Sequence, residues 1–183
     1  MTADSNHEFT VVLSGIPVLD DTVADALFEA GCDDATVSFQ SGRCFVSFCR
    51  EAPSLIEAIL HAIADVRKLG PEVEILRVDS SNLVSQSEIA RRIGRSRQLV
   101  HQYIHGERGP GSFPPPVCDI SEGAPLWSWC EVAAWLHGND MIAESVLRDA
   151  QEIAVINSAL ELEHLRRLDP KLTRTVMAAV SRK

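Results

Sequence analysis

The sequence predicts an α+β protein of three successive parts, on three observations. Within residues 1–80, segments with an apolar residue at every second position, as in strands, alternate with segments whose apolar residues have helical spacing. Residues 85–106 hold two short helical patterns and four arginines, and a helical period then runs from 140 to 168. We therefore expect an α/β domain at 1–80, a second domain at 83–138 and an α-helical tail at 139–183.

The first 80 residues are predicted to contain strands and helices in the order β-α-β-β-α-β. A helix at 18–30 should end at Gly31, because glycine adopts the left-handed conformation after a helix without penalty. Ser41 and Gly42 mark a hairpin turn, and a second helical pattern covers 53–69. The strand patterns cover 8–15, 35–40, 44–48 and 72–78. This order resembles the ferredoxin-like split βαβ sandwich, a fold that serves many unrelated functions.

Negative charge is concentrated in this first domain. The chain has a formal net charge of -9. Residues 1–80 contain 14 acidic and 5 basic side chains, a difference of -9, so the remaining residues are balanced. We expect these acidic residues to form a solvated face. The acidity of the chain does not argue against a nucleic-acid surface in the second domain, because the first domain carries all of the excess.

The cysteines and the hydropathy pattern suit a cytoplasmic protein. The five cysteines are an odd number without a C-x-x-C pair, which argues against a disulfide framework and a zinc site. We expect reduced, buried thiols, and neither a metal nor a cofactor. No apolar run approaches the roughly 18–20 residues that span a bilayer, and the N-terminus lacks a signal-peptide pattern. The cysteines are Cys32, Cys44, Cys49, Cys118 and Cys130.

A pair of helices is predicted within 85–106, which reads SQSEIARRIGRSRQLVHQYIHG. Ser85 and Glu88 form a capping box, so a helix begins directly after the serine. Gly94 ends this helix in a tight corner, and Ser96 caps the next helix. In that second helix the apolar residues share one face and the polar residues share the other. The apolar face holds Leu99, Val100, Tyr103 and Ile104.

The polar face of the second helix predicts contacts to double-stranded DNA. Its side chains offer planar donors and acceptors that match base edges, arginine to guanine and glutamine to adenine. The neighbouring arginines and the N-terminal end of the helix suit backbone phosphates. The predicted contact residues are Arg91, Arg92, Arg95, Ser96, Arg97, Gln98, His101, Gln102, His105 and Arg108.

The same region resembles a known family. The pattern contains the small residue, the corner glycine and the core positions of a helix-turn-helix. The runs FPPPV at 113–117 and LWSWCEVAAWL at 126–136 look like a wing and the helix that follows it. Over about 83–138 the sequence is similar to the MerR/excisionase-type winged helix-turn-helix domain, and this resemblance implies DNA binding. The matching helix-turn-helix positions are Ile89, Ala90, Gly94 and Val100.

Two features depart from that family. In MerR proteins the effector or dimerisation region follows the DNA-binding domain, whereas here an α/β domain precedes it. The predicted wing, 106–125, contains one cation, Arg108, and we carry no other wing contact over.

Aromatic and histidine residues of this region have alternative interpretations. Trp127, Trp129 and Trp135 are expected to be core residues rather than base-stacking platforms, because they lie beside apolar residues at strand and helix positions. His101 and His105 have the i, i+4 spacing of metal ligands, but two histidines alone do not complete a metal site.

A dimer is expected, because one module of this kind buries only about 600–1,000 Å² on DNA. A dimer reads two half-sites about 34–36 Å apart. The tail carries too much apolar surface for an unsupported helix, and it is expected to pack on a second subunit, on the winged domain or on both. Asp169 and Pro170 should begin a final helix. The apolar tail residues include Ile142, Val146, Leu147, Ala150, Ile153, Leu160, Leu162, Leu165 and Leu168.

The leading functional prediction is a cytoplasmic, dimeric, sequence-specific DNA-binding regulator of transcription, acting as a repressor. Its first domain would sense a ligand or contact a protein. Two alternatives stay open: the antitoxin of a toxin–antitoxin pair, or an adaptor that uses the winged fold for protein contact only. We do not expect an enzyme, because the first domain has no glycine-rich phosphate loop and no paired nucleophile and base.

Overall fold

A computed structural model describes residues 4–118 and 123–181. The chain has the mixed α+β architecture that the sequence predicts. It divides into two compact units, Met1–Asp79 with Val155–Lys183, and Ser80–Ala154. In the part of the chain that the structure describes, no helix is both long enough and apolar enough to cross a bilayer.

The first unit is built on a four-stranded antiparallel sheet with two helices. Its elements are β1 (Ser5–Ser14), α1 (Asp21–Ala30), β2 (Ala35–Gln40), β3 (Arg43–Ala52), α2 (Leu55–Val66) and β4 (Glu74–Val78). The predicted order of strands and helices is therefore observed. In the sheet the strands follow the order β2-β3-β1-β4. The central pair, β1 and β3, is long, and Ser5 lies opposite Ala52 at one end while Leu13 lies opposite Cys44 at the other.

Local signals set most of these boundaries. Gly31, with φ 102°, ends α1 as predicted, but α1 begins later than residue 18 because Asp20 caps it by accepting a hydrogen bond from the Val23 amide at 3.0 Å. Ser41 and Gly42 have φ values of 50° and 77°, so the predicted hairpin turn is confirmed.

The core of this unit lies against one face of the sheet. Along β3 the residues alternate between buried and more exposed, which is the pattern of a strand with one covered face. The covered face meets the apolar sides of α1 and α2, which bury Leu27 and Ile59 almost completely. At the edge strand β4, the Asn157 carboxamide accepts a hydrogen bond from the Val78 amide at 2.7 Å and donates one to its carbonyl at 3.1 Å.

Arg50 is a buried cation in this core, and the sequence did not indicate its role. Its guanidinium donates from Nε and Nη2 to the two carboxylate oxygens of Asp34, at 2.7 and 2.9 Å. Nη1 donates to Asp65 at 2.7 Å, and Nη2 also donates to the Gly31 carbonyl at 2.8 Å. The expectation of a solvated acidic face is therefore wrong for Asp34 and Asp65, which balance this cation inside the unit.

The hydrogen bonds of this cluster shift the pKa of the Asp65 carboxyl group. Burial by itself would raise the pKa of Asp65, but hydrogen bonds from Lys68 and Arg50 outweigh it and hold the pKa below its usual value. The stability that Asp65 contributes is therefore present above the ordinary carboxyl pKa and is lost as the pH falls through the lowered pKa.

The cysteines are free thiols with different exposure. Cys32 and Cys44 are buried, and burial raises the pKa of the Cys32 thiol to about 11. Cys118 and Cys130 are half-buried, and Cys49 is exposed. The prediction of buried thiols is thus wrong for Cys49, which lies on the face of β3 that points away from the buried residues.

The second unit is mostly helical and has its own core. Ile89, Val100 and Val132 are fully buried there, and Trp127 and Trp129 are nearly so. Trp135 packs against the same cluster, which confirms the prediction that the three tryptophans are core residues. The elements are β5 (Leu83–Val84), α3 (Gln86–Arg92), α4 (Arg97–Ile104), β6 (Trp127–Ser128) and α5 (Trp129–Gly138), followed by the first part of α6 (Glu144–Leu168).

The segment predicted as a separate helical tail is divided between the two units. Its helix α6 begins at Glu144 rather than near 140, since Asp140 has φ 56° and cannot continue a right-handed helix. Residues 144–154 belong to the second unit, and Ala150 is part of its core. The later part of α6, from Val155 onward, belongs to the first unit, where Glu163 forms an ion pair with Arg67 at 2.8 Å.

A last helix, α7 (Pro170–Val180), follows α6 directly. The Asp169 carboxylate accepts a hydrogen bond from the Leu172 amide at 2.9 Å, and Pro170 occupies the first turn. The predicted capped start of the final helix is confirmed.

Replacing Arg50 by methionine should lower the free energy of unfolding by about 2–4 kcal/mol, because Asp34 and Asp65 would lose their buried partner. Urea denaturation at neutral pH measures the change. Arg43→Met is the matched control, since Arg43 is exposed on the same strand. Equal stability of the two variants would contradict a structural role for the Arg50 cluster.

Candidate nucleic-acid interface

Helices α3 and α4 form a tight corner that is fixed by caps at both helix starts. The Ser85 hydroxyl accepts a hydrogen bond from the Glu88 amide, and the Ser96 hydroxyl accepts one from the Leu99 amide, both at 3.2 Å. Between the helices, Gly94 has φ 61°, and the Arg95 amide donates to the Ala90 carbonyl at 2.9 Å. The predicted helix starts and the glycine corner are confirmed.

Asn82 ties the start of this unit to helix α5. Its side-chain oxygen accepts a hydrogen bond from the Cys130 amide at 2.9 Å, and its backbone carbonyl accepts one from the Trp129 amide at 2.6 Å. Its side-chain nitrogen donates to the Ser128 hydroxyl at 3.3 Å. Asn82 lies between the two predicted domains, 1–80 and 83–138, and only its contacts to α5 reveal its role.

Aromatic side chains hold the segment that follows α4. The Trp135 indole donates to the Gly111 carbonyl at 2.9 Å, and the Trp135 ring packs against Tyr103 and Phe113 with centroid distances of 5.5 and 5.0 Å. Gly109 has φ 85°, and a β-carbon there would lie 3.0 Å from the Tyr103 ring, so both the backbone and the space favour glycine. These contacts fix the chain after α4 without regular secondary structure.

The predicted wing has only a short ladder in the described residues. The Val117 amide donates to the Leu126 carbonyl at 2.8 Å, and the Leu126 amide donates to the Cys118 carbonyl at 3.1 Å. Residues 119–122 of the predicted wing lie outside the described residues. Arg108 is exposed before this ladder, and its amide donates to the Gln102 carbonyl at 3.3 Å. That bond keeps Arg108 close to the end of α4.

The polar side of α4 faces solvent. Val100 is fully buried on the opposite side. His101 and His105 lie one turn apart, and their ring centroids are 4.1 Å from each other. The exposed residues on and beside this polar side are Arg95, Ser96, Arg97, Gln98, His101 and His105, while Gln102 is half-buried. These residues form a continuous strip of donors and acceptors, which we call the α4 strip.

Gln86 is a positioning residue for the α4 strip that the sequence analysis missed. Its side-chain amide donates to the Arg97 carbonyl at 2.9 Å and so joins the first turn of α3 to the first turn of α4. A glutamine directly after a helix cap gives no sequence signal for this contact, because its partner is a backbone carbonyl 11 residues later.

The neighbouring residues Arg91 and Arg92 have opposite environments. Arg91 is 73% exposed and pairs with Glu88 at 2.6 Å. Arg92 is 13% exposed, and its guanidinium lies 5.0 Å from the centre of the Trp129 ring. It also donates to the Ser81 carbonyl at 2.9 Å. Most of the Arg92 guanidinium is thus used within the unit, so Arg91 is the better placed of the two for the predicted phosphate contact, which stays a prediction.

Glu88 is held ionised by these two arginines. Hydrogen bonds from Arg91 and then Arg92 lower the pKa of Glu88 from 4.5 to about 2. The stability gained from the pairing is therefore fully present above pH 4.5, and it is lost as the pH falls toward about 2. At neutral pH, Arg91 thus has an intramolecular partner that a phosphate would have to replace or share.

Comparison of the chain with protein-family models, curated proteins and solved structures finds no match. The chemistry of the α4 strip, rather than a relative, therefore indicates what this surface can bind.

Arg92→Ala should lower the free energy of unfolding by about 1–2 kcal/mol, since it removes a cation–aromatic contact and a hydrogen bond to a backbone carbonyl. Arg91→Ala is the matched control and should leave the free energy of unfolding nearly unchanged, because its ion pair is exposed and screened by solvent. Urea denaturation of the two variants at neutral pH gives the comparison. A larger loss for Arg91→Ala would contradict the assignment.

Proposed function

We propose that this protein is a sequence-specific DNA-binding regulator of transcription that acts as a homodimer and represses its target. The observation that carries the proposal is the α4 strip, an exposed row of arginine, glutamine and histidine side chains on a helix whose other side is anchored in a core. An α-helix fits the major groove of B-DNA, where each base pair presents a distinct pattern of donors and acceptors.

Within this proposal, Arg97 and Gln98 in the first turn of α4 read base edges, followed one turn later by His101 and Gln102. The phosphate contacts come from Arg91 and Arg95, with Arg108 at the far end of the helix. Arg92 is less exposed than these arginines and is the weaker candidate for a phosphate contact. Exposure of Arg91, Arg95, Arg97 and Arg108 supports the assignment, since phosphate and base contacts both need accessible guanidinium groups.

The proposal also assigns each of the two units to a known type of fold. We assign the first unit to the ferredoxin-like type, which its antiparallel order β2-β3-β1-β4 supports, and the second unit to the winged helix-turn-helix type. The paired caps, the glycine corner and the helix α5 beneath the corner support the second assignment. The first unit would then sense a ligand or contact another protein.

Salt titration tests the proposal. Duplexes that the protein prefers are first selected from a random library, and the affinity is then measured by fluorescence anisotropy at increasing salt. The logarithm of the affinity should fall linearly with the logarithm of the salt concentration, and Arg91→Ala should reduce the slope by about 1. Failure to bind any duplex would contradict DNA binding and would favour the protein-binding adaptor.

Replacing Arg97 by alanine should weaken binding to the selected duplex by roughly 1–3 kcal/mol and relax the preference at one base pair. Anisotropy with the selected duplex, with single-base variants of it and with random duplex measures both effects. Arg148→Ala is the control, since Arg148 is an exposed arginine on α6 outside the α4 strip. Equal losses for selected and random duplex would assign Arg97 to a phosphate instead.

A second candidate function is the antitoxin of a toxin–antitoxin pair, and the surface of α1 favours it. Asp21, Asp25 and Glu29 are exposed on this helix, and Phe28 among them is 66% exposed. An acidic face with an exposed aromatic residue suits a basic protein partner. Co-purification with the product of an adjacent gene that encodes a small basic protein would support this role.

A further inference from the structure

The sheet of the first unit has two edges with different surroundings. At β4, the Asn157 carboxamide binds both the backbone N–H and the C=O of Val78, at 2.7 and 3.1 Å. At the opposite edge, β2 pairs with β3 on one side only, within the residues that the structure describes. We call the other side of Ala35–Gln40 the β2 edge. An edge strand is a template for pairing with another chain, and proteins usually protect it.

The sequence of β2 lacks the usual protection of an edge strand. It reads ATVSFQ, with neither a charged residue nor a proline. Its pairing with β3 keeps one register from Ala35 opposite Phe48 to Gln40 opposite Arg43, so β2 has no bulge. Charges, proline and bulges are the features that stop a neighbouring chain from pairing at an edge. The β2 edge can therefore accept another strand.

The register with β3 determines which backbone groups point outward. The Asp34 carbonyl accepts a hydrogen bond from the Cys49 amide of β3 at 3.2 Å, so residue 34 points its backbone groups inward. Successive residues of a strand point their N–H and C=O groups to opposite sides, and the even-numbered residues of β2 therefore face β3. The N–H and C=O groups of Val37 and Phe39 face outward, where an added strand would bind them.

Apolar side chains border the β2 edge on the face that the helices cover. Val37 and Phe39 lie opposite Val46 and Cys44 of β3, which are fully buried. Phe39 itself is 39% exposed at the end of this apolar row. An added strand would place every second side chain next to Val37 and Phe39. The edge therefore fits a segment with apolar residues at alternate positions.

The charge around the β2 edge indicates the chemistry of that segment. The crossover from β1 to β2 passes over β3, so α1 is the helix nearer to this edge. Asp21, Asp25 and Glu29 are exposed on α1, and Asp33 is exposed directly before β2. Opposite charges across an interface favour encounter, and like charges exclude a partner. The segment should therefore carry lysine or arginine beside its apolar residues.

A second copy of the chain fits the β2 edge less well. Residues 1–80 contain 14 acidic and 5 basic side chains, so pairing two β2 strands would bring two acidic units together. Each folded partner in a stable interface contributes about 20–30 residues, whereas β2 has 6. An extended segment needs less area, because main-chain hydrogen bonds supply affinity and alternate side chains supply specificity. Charge and size thus both favour an extended basic segment.

We propose that the β2 edge binds an extended segment of a basic partner protein as an additional strand of the sheet. The segment pairs with the backbone of Val37 and Phe39 and packs alternate apolar side chains beside them. Its lysines or arginines lie near Asp33 and the acidic side of α1. The inference rests on the proposed function only in that the first unit contacts a protein, and it is independent of DNA binding by the second unit.

Peptide selection with the full chain tests the inference. Short random peptides displayed on phage are selected against the immobilised chain, and the most enriched peptide is synthesised as the probe. We expect apolar residues at alternate positions together with lysine or arginine. A library in which no peptide is enriched would overturn the inference, and enriched peptides without basic residues would contradict the assigned partner chemistry.

Hydrogen exchange measured by NMR locates the bound probe on the unmodified chain. Exchange at the Val37 and Phe39 amides should slow when the peptide binds, because both amides gain a hydrogen-bond partner. Protection of other amides, with Val37 and Phe39 unchanged, would place the peptide on a different surface and refute the inference.

Val37→Pro removes an outward N–H but no hydrogen bond between β2 and β3, and proline is tolerated at such edge positions. It should weaken peptide binding about tenfold, because a donor is lost and the proline ring occupies the space of the added backbone. Val37→Thr is the matched control, since it keeps the amide and the branched shape, and should bind within about twofold of the unmodified chain. Fluorescence anisotropy measures both, and circular dichroism checks that both stay folded. Equal binding by Val37→Pro would contradict strand addition.

The charge of the site is tested with Asp25→Asn and Glu29→Gln in one variant. Peptide binding should become weaker and less dependent on salt, since two exposed charges near the edge are removed. An unchanged salt dependence would contradict the electrostatic part of the inference.

Two further measurements separate the alternatives. Sedimentation velocity detects self-pairing, and a dimer that forms with the unmodified chain but not with Val37→Pro would overturn the inference in favour of a second copy. Binding of the selected DNA duplex is measured on the same variants. A chain that binds the peptide at the β2 edge but binds no duplex would contradict DNA binding alone, whereas the reverse result would contradict the β2 edge alone.

Discussion

The burial of Val100 determines which side of α4 can meet another molecule. Val100 belongs to the same core as Ile89, Trp129 and Val132, and it is fully buried there. Because side chains on a helix are fixed about 100° apart, anchoring this residue sets the outward direction of the whole α4 strip. Loss of that anchor would leave the caps of α4 intact but would let the helix rotate, and its polar groups would then no longer be held toward solvent.

Arginines illustrate why residue type alone does not assign a role. Arg50, Arg91 and Arg92 have the same side chain but occupy a buried carboxylate cluster, an exposed ion pair and the face of a tryptophan. A guanidinium is suited to all three, since it combines charge, fixed donors and a flat apolar face. Which use prevails depends on the partners that the fold brings near, and Trp129 lies far from Arg92 along the chain.

The features of the candidate site that the sequence predicted correctly were the local ones, the helix caps and the corner between the helices. Ser85, Gly94 and Ser96 were placed correctly because caps and corners depend on residues within one helical turn. Asn82 and Gln86 were missed because their hydrogen bonds join segments that are distant in sequence. The exposed side of α4 was foreseen from its apolar period, whereas the internal use of Arg92 was not.

The sequence by itself determined the α+β class, the order of elements in the first unit, the starts of α3, α4 and α7, and the polar side of α4. Each of these follows from interactions between near neighbours or from the period of apolar residues. The tertiary structure decided how α6 is divided, that Arg50 lies among carboxylates, and that β2 lies at an edge of the sheet. Those outcomes depend on which surfaces meet after the elements form, and packing between distant segments leaves no local pattern in the chain.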